Sequence, residues 1–178
     1  EARARLVKII RSAAERAGRD PAKIRIWSVF ATLGDHLEPE LLRKKSVGRL
    51  ATYLQVYGDL LADVNHWDKA ILQRFRESAV MQEIRGWVDA VATPEQLERI
   101  AELLPQEWLD ASAGGSPEQC AKKVLNQFTL GIDSVILHGA TPRELAPILP
   151  AYAKLRPAGR FDHLAANPGK TTYQRGTA

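Results

Sequence analysis

The chain begins with apolar side chains spaced three and four residues apart, a pattern that places them on one face of a helix. The stripe comprises Leu6, Ile9, Ile10, Ala13, Ala14 and Ala17. Gly18 suits the end of this helix, because glycine adopts the left-handed conformation of a C-terminal cap without strain. The dipeptide Asp20-Pro21 then predicts a turn.

Two short apolar runs differ from this helical pattern. Residues 24–31 (IRIWSVFA) and 132–137 (IDSVIL) are mostly apolar and do not alternate cleanly between polar and apolar positions. Strands that are covered on both faces of a parallel sheet have this composition. We therefore predict two buried strands, the first followed by a loop at 32–36, and a poorer third strand at 108–113.

The long stretch after the first strand is helical in pattern. Apolar residues at helical spacing extend over about 39–64, and Gly48 and Gly58 leave open whether this is one helix or two. A further helix is predicted over about 68–80. Together with the helix that follows, these elements form a helical insertion at about 39–104.

Three short motifs mark helix starts. They are Thr93-Pro94-Glu95-Gln96, Ser116-Pro117-Glu118-Gln119 and Thr141-Pro142-Arg143-Glu144. In each motif a hydroxyl residue precedes a proline, and Glu or Gln stands two residues after that proline. This is the capping box, which satisfies amide groups at a helix N-terminus. We expect the first helix to run to about 104 and the second to about 130, and the third to become regular only near Pro147.

The order of the elements predicts the class of fold. Helices and strands alternate on both sides of the helical insertion, which is typical of a parallel sheet with right-handed crossovers. After about residue 157 the pattern is lost, and we expect 158–178 to be an extended or mobile tail.

Two segments and the helix between them resemble a known family. Residues 113–119 (AGGSPEQ) and 131–139 (GIDSVILHG) resemble the last two strand–helix units of the luciferase-like flavin-dependent monooxygenases. More narrowly, they are similar to the F420-dependent oxidoreductases of that family. The stretch 17–21 (AGRDP) with its flanking helix and strand also fits, as does 53–67 as part of the family's insertion. The resemblance covers roughly residues 1–156.

The resemblance implies a helix-rich α/β fold, the C-terminal part of a (β/α)8 TIM barrel. Residues 1–157 would supply about the sixth to eighth strands, together with the helical insertion. A complete barrel needs about 250 residues. The chain also opens inside a helical pattern and without a methionine, so we expect an upstream segment to be missing. The family's acid/base residues lie mostly on the early strands, which leaves the catalytic residues unknown.

The resemblance also implies a site for F420 or FMN at the carboxyl ends of the strands, where barrel enzymes build their active sites. The residues expected to bind the cofactor are Gly115, Ser116, His138, Gly139 and Thr141. The residues expected in the substrate pocket are Thr32 and His36.

Each of these residues also has a purely structural explanation. Gly115 and Ser116 precede a helix whose amide groups and positive dipole end suit a phosphate, but they could equally form a capped helix start. His138 could hydrogen-bond a flavin ring or a substrate oxygen, or it could be satisfied by loop carbonyls. The same alternative holds for His36. The tryptophans Trp27, Trp67, Trp87 and Trp108 could line a cofactor pocket or pack in the core.

Composition limits the partners. The 178 residues are 45% hydrophobic with a net charge of +4, and the basic residues are interspersed with acids and lack an aromatic-lined stripe, which disfavours nucleic acid. The apolar runs are too short to cross a bilayer, so no membrane contact is expected. The single cysteine, Cys120, indicates a reducing, cytoplasmic compartment, and no zinc-ligand spacing is present.

These observations favour one function and leave one alternative. The favoured function is that of a C-terminal fragment of an F420- or flavin-dependent oxidoreductase, inactive alone, whose parent performs hydride transfer or monooxygenation on a small organic substrate. Such a chain is expected to be part of a homo-oligomer. The alternative is a non-catalytic half-barrel module that dimerises or pairs with a separate N-terminal chain, because open sheet edges recruit other strands.

Overall fold

The two apolar runs predicted as buried strands pair with each other in parallel. The computed structural model describes residues 2–162 and contains β1 (Trp27–Gly34), β2 (Ala113–Gly115) and β3 (Ser134–His138). The β1–β3 register runs from Trp27 opposite Ser134 to Ala31 opposite His138. The far end of β1 pairs with β2, also in parallel. The predicted class, a helix-rich α/β fold with a parallel sheet, is confirmed.

The bounds of the strands differ from the prediction. β1 starts at Trp27 rather than at residue 24, and it continues through 32–34, which the sequence analysis assigned to a loop. The shift arises because β2 pairs with Thr32–Gly34 and extends the strand. The strand predicted at 108–113 is wrong, since Trp108 belongs to a short helix and only Ala113 enters the sheet.

The order of the strands also differs from what the resemblance implies. Consecutive units of a barrel would place β2 between β1 and β3. The observed order is β2-β1-β3, so β1 is the central strand. The sheet therefore does not reproduce three consecutive barrel strands.

The helices of the first two thirds of the chain form the insertion and its approach. The helix α1 spans Ala2–Arg16, and a 3-10 turn spans Pro21–Lys23. The insertion contains α2 (Pro39–Arg43), a π-helical turn (Lys44–Gly48), α3 (Arg49–Asn65), α4 (Lys69–Glu77), α5 (Ala79–Glu83), α6 (Val88–Val91), α7 (Pro94–Leu103) and α8 (Gln106–Leu109).

The predicted long helix over 39–64 is interrupted at two places. The π-helical turn separates α2 from α3 and ends at Gly48. Within α3, Tyr57 has non-helical dihedral angles directly before Gly58. Both interruptions fall at or beside the glycines that had left the number of helices open.

All three predicted capping boxes are present. Thr93, Ser116 and Thr141 each accept a hydrogen bond from the backbone of the third helical residue, whose side chain bonds back. They begin α7, α9 (Pro117–Thr129) and α10 (Pro142–Leu145). The last described helix, α11 (Ile148–Leu155), starts after Pro147 as predicted.

The buried apolar residues form two clusters. One lies inside the helical insertion and includes Leu54, Phe75, Ile100 and Trp108. The other joins the sheet to α9, α10 and α11. On β1, Phe30 packs into this second cluster, so one face of the sheet is covered by helices.

The opposite face of the sheet leaves apolar side chains uncovered within the described part of the chain. Val29 is 59% exposed and its neighbour across the ladder, Ile136, is 45% exposed. On α1 the stripe residues Leu6, Ile9 and Ile10 are likewise exposed, whereas Ala14 is buried. Parallel sheets are ordinarily covered on both faces. Within the described residues, this apolar face lacks such a cover.

The start of the predicted tail folds back onto the domain. Phe161 packs edge-on against Phe128 of α9, with 4.7 Å between the ring centroids. The remainder of that predicted tail, 163–178, lies outside the described residues. Across 2–162, none of the helices has both the length and the apolar character that a membrane span requires.

Candidate functional site

A cavity of about 320 Å³ lies between the uncovered face of the sheet and the helical insertion. Its floor is the alternate row of β1 side chains, Val29, Ala31 and Leu33. Because side chains alternate across a strand, these three point away from the face that Phe30 buries. The volume is near the lower end of the range of about 300–1,000 Å³ that is typical of ligand pockets.

One side of the cavity is built from a helical row of polar residues. Lys45, Arg49 and Tyr53 follow each other at intervals of four residues and all line the cavity. That spacing brings side chains to the same helix face. Lys45 and the adjacent Ser46 come from the π-helical turn, a distortion frequently found at functional sites.

The cavity is lined by cations and by no carboxylate among the described residues. Two of the cations are paired behind the lining, Lys45 with Glu144 at 2.7 Å and Arg49 with Asp89 at 3.1 Å. The third, Arg3 at the start of α1, donates to the carbonyl of Ala111 at 3.3 Å. Burial lowers the pKa of Arg3, because it removes water from the guanidinium.

His138 reaches the cavity as the last residue of β3. Its Nε2 lies 3.2 Å from the hydroxyl of Tyr53, within hydrogen-bonding distance. The guanidinium carbon of Arg49 lies 6.0 Å from the centre of the Tyr53 ring. His138 was expected near a ligand, and it lines the cavity. Its ring is hydrogen-bonded to the side chain of Tyr53 and not to a loop carbonyl.

Two of the tryptophans meet at the cavity. Trp67 and Trp108 stack with 4.4 Å between centroids and 12° between ring planes. Trp108 is 2% exposed, and its Nε1 has no hydrogen-bond partner within residues 2–162. Trp27 and Trp87 are about half exposed, so neither the pocket nor the core explanation fits them.

The predicted phosphate contact at Gly115 and Ser116 is occupied by the protein itself. The amide of Ser116 donates to Oε1 of Gln119 at 2.8 Å, and the amide of Gln119 donates to Oγ of Ser116. A phosphate at this helix start would have to displace the Gln119 side chain. Gly115 lines a separate cleft of about 590 Å³, which also includes Lys122 and Lys123.

Gly139 and Thr141 are connected to the cavity through Lys45. Nζ of Lys45 donates to the carbonyl of Gly139 at 3.0 Å and to Oε2 of Glu144 at 2.7 Å. The same carboxylate oxygen accepts from the amide of Thr141 in the capping box. The hydrogen bond from Lys45 and those from Thr141 hold the pKa of Glu144 below its ordinary value.

Neither residue expected in the substrate pocket lines the cavity. Thr32 is fully buried on the helix-covered face of β1, and its hydroxyl donates to the carbonyl of Phe30 at 3.0 Å. Thr32 was predicted in a loop. As a residue of β1, it points its side chain away from the cavity. His36 is exposed and its Nε2 lies 2.8 Å from the carbonyl of Glu144, the structural alternative considered for it.

Most of the polar residues that line the cavity were not predicted from the sequence, among them Arg3, Lys45, Arg49 and Tyr53. The spacing of the last three on one helix face was the available signal. Arg3 gave none, because its position depends on how α1 packs against the segment after α8.

Cys120 is fully buried in α9, and its Sγ lies 3.3 Å from the carbonyl of Ala113. Burial, more than any other effect, raises the pKa of its thiol to about 11. Cys120 is therefore a small buried residue of the core. No cluster of metal-ligating side chains occurs within the part of the chain that the structure describes.

The fold and cavity define an α/β domain with a ligand-sized pocket against a parallel sheet. Comparison of the sequence with models of protein families, with curated proteins and with solved structures finds no match.

Proposed function

We propose that this chain is part of a flavin- or F420-dependent oxidoreductase resembling the luciferase-like monooxygenases, in which it forms one wall of the ligand pocket. The observation that carries the proposal is the position of His138. The resemblance places this histidine at the carboxyl end of a strand beside the ligand, and the cavity lies there.

The cavity suits part of such a ligand. Its floor is apolar, formed by alternate residues of one strand, while Arg3, Lys45 and Arg49 add positive charge. A planar ring fits against such a floor, and an anionic group fits the cations. The volume of about 320 Å³ accommodates a ring system or a small substrate, and the rest of a flavin or F420 molecule would extend outside it.

A reduced flavin or F420 supplies a hydride when it is bound. The chain's own contribution would be a proton at the substrate oxygen. Tyr53 and His138 form a hydrogen-bonded phenol–imidazole pair, and such a pair can donate a proton at Tyr53 and replace it from His138.

The test measures binding of FMN and of F420 through the change in cofactor fluorescence. We expect weak or no binding by this chain alone and tight binding by the longer oxidoreductase of which we propose it to be part. In that longer protein, His138→Ala should weaken binding or slow turnover, while His66→Ala, an exposed histidine at the end of α3, should not. Tight binding by this chain alone, or indifference to His138→Ala, would contradict the proposal.

The uncovered apolar face supports a second candidate function, that of a non-catalytic interaction module. Val29 and Ile136 are neighbours on this face and both are about half exposed. In this alternative another protein surface covers this face of the sheet. The cavity then exists only because that surface is absent. Stable assembly with no affinity for either cofactor in the longer protein would favour it.

A further inference from the structure

A row of large apolar side chains is exposed along one face of α3. Tyr53, Val56 and Leu60 are 36%, 45% and 61% exposed. Their spacing of three and four residues places them on the same face of the helix. The opposite face packs into the core of the insertion, because the buried residues of α3 are Ala51, Leu54, Gly58 and Ala62. The helix therefore carries a second apolar face that the described part of the chain leaves exposed.

Trp87 lies beside this exposed row. The residues before and after it both bond to Gln55 of α3, since the carbonyl of Gly86 accepts from Nε2 at 3.2 Å and the amide of Val88 donates to Oε1 at 3.3 Å. Trp87 itself is 57% exposed. Tryptophan and tyrosine are the residue types that most often dominate the binding energy of protein interfaces, so this face suits a protein partner.

The two ends of the row carry opposite charges. Arg49 lies one helical turn before the row and Asp63 one turn after it, on the same face. Each has a partner within the chain, Asp89 for Arg49 and Lys69 for Asp63. Their side chains nevertheless remain 43% and 61% exposed, and a guanidinium has enough donors to bond a second carboxylate.

The order of these residues is symmetric about Val56. Arg49 lies seven residues before Val56 and Asp63 lies seven residues after it. A two-fold axis at Val56 that sets two copies of α3 antiparallel would place Tyr53 near Leu60 of the second copy. It would also place Arg49 opposite Asp63 of the second copy, at both ends of the contact. A parallel pairing would instead bring like charges together, so the face is complementary to itself only in the antiparallel arrangement.

We propose that two copies of this chain associate through the exposed faces of α3, antiparallel about Val56. The apolar row supplies the contact, Arg49 and Asp63 set its direction, and Trp87 flanks it. Arg49 and Tyr53 also line the cavity, so the contact lies next to the proposed ligand site, but the inference requires no bound cofactor. Two helix faces form a small contact beside the roughly 800 Å² per partner of a standard interface, so we expect a dissociation constant of about 1–100 μM.

The first experiment exchanges the two charges. Arg49→Glu and Asp63→Arg are made separately in the full chain that also carries Val29→Thr and Ile136→Thr, so that the sheet face does not contribute. Each charge variant alone should associate at least about tenfold more weakly than this parent, because it sets like charges together at both ends. An equimolar mixture of the two should associate about as tightly as the parent, because both ends are again oppositely charged. Sedimentation equilibrium measures the masses, and far-UV circular dichroism establishes that each variant is folded.

A cysteine at Val56 tests the two-fold axis directly. A residue on the axis meets its own copy, so Val56→Cys in the full chain should form a disulfide-linked dimer under mild oxidation with copper phenanthroline in air. Leu149→Cys, at an exposed position on α11, is the control and should cross-link at least about tenfold more slowly. The native Cys120 is buried and does not compete.

Three outcomes overturn the proposal. One is a parent chain that stays monomeric up to about 1 mM. Another is equal cross-linking at positions 56 and 149, which can be measured even if Arg49→Glu fails to fold. The third is a mixture of folded charge variants that associates no better than either variant alone. None of these measurements uses FMN or F420, so loss of the proposed cofactor binding would leave this interface standing, and the reverse also holds.

Discussion

Nζ of Lys45 lies 2.7 Å from Oε2 of Glu144, so the π-helical turn of the insertion is bonded directly to the capping box after β3. The two residues are far apart in sequence, and both side chains are largely covered. Lys45 also donates to the carbonyl of Gly139. This contact fixes one side of the cavity relative to the strand that ends in His138.

Glu144→Gln tests the ionic part of this contact. Gln is already the third helical residue of the other two boxes, as Gln96 and Gln119, so the substitution retains the cap and removes the charge. We expect a loss of about 1 kcal/mol or less at neutral pH, as for other partly exposed pairs. Chemical unfolding followed by circular dichroism measures it.

The pH dependence of the same variant has a defined sign. The pKa of Glu144 is lowered in the folded chain, chiefly by the hydrogen bond from Lys45. Its stabilising contribution is therefore present above the ordinary glutamate pKa of about 4.3 and is lost as the pH falls through the lower folded value. The difference between wild type and Glu144→Gln should shrink on acidification. A difference that is constant from neutral to acidic pH would show that the charge does not matter.

Cys120 gives the opposite pH dependence. Burial raises the pKa of its thiol to about 11, so the folded chain retains the proton after an unfolded thiol, with a pKa of about 8.5, has lost it. The free energy of unfolding should therefore fall between about pH 8.5 and pH 11, by up to about 3.4 kcal/mol.

Cys120→Ala isolates this effect. It should lower the free energy of unfolding by about 1 kcal/mol at neutral pH. It should also abolish the part of the alkaline decrease that the Cys120 thiol causes. Urea unfolding of both proteins at several alkaline pH values measures the difference. Rapid alkylation of Cys120 by iodoacetamide in the folded protein near pH 8 would show that the thiol is neither buried nor raised in pKa.

The sequence predicted best what depends on neighbouring residues. The three capping boxes are local, since Thr93, Ser116 and Thr141 bond within their own first turn, and all three were predicted correctly. The parallel pairing of β1 and β3 followed from their apolar composition. The start of β1 and the identity of β2 were not predicted, because a three-residue strand is defined only by the partner it pairs with. Arg3 was not predicted either, because its position in the cavity depends on how α1 packs against the segment after α8.

Asp133 holds the start of that parallel pairing. Its Oδ2 lies 2.8 Å from Nη2 of Arg11 and accepts from the amide of Ile26 at 2.7 Å. Arg11 also donates to the carbonyls of Pro21 and Ile24, so one ion pair joins α1, the turn before β1 and the turn before β3. Both side chains are about one quarter exposed or less.

Asp133→Ala should therefore lower the free energy of unfolding by about 2–4 kcal/mol, because it removes the counter-charge of a partly buried guanidinium and the acceptor of the Ile26 amide. The matched control is Asp63→Ala, which breaks the exposed pair of Asp63 with Lys69 and should leave the free energy of unfolding nearly unchanged. Urea unfolding of the two variants and the wild type provides the comparison. Equal losses at the two positions would contradict the role assigned to Asp133.

The uncovered face of the sheet predicts self-association. Val29 and Ile136 lie side by side across the β1–β3 ladder and are 59% and 45% exposed, and exposed contiguous apolar surface tends to be covered by another molecule. Val29→Thr with Ile136→Thr retains β-branched residues and makes the face more polar. We expect the wild-type chain to form larger species as its concentration rises, and the double variant to remain smaller at the same concentration, with little change in stability.

Leu149→Thr, an exposed position on α11, is the control and should associate like the wild type. Light scattering coupled to size-exclusion chromatography measures the masses, and a monomeric wild-type chain at every concentration would show that this face has no partner among copies of itself.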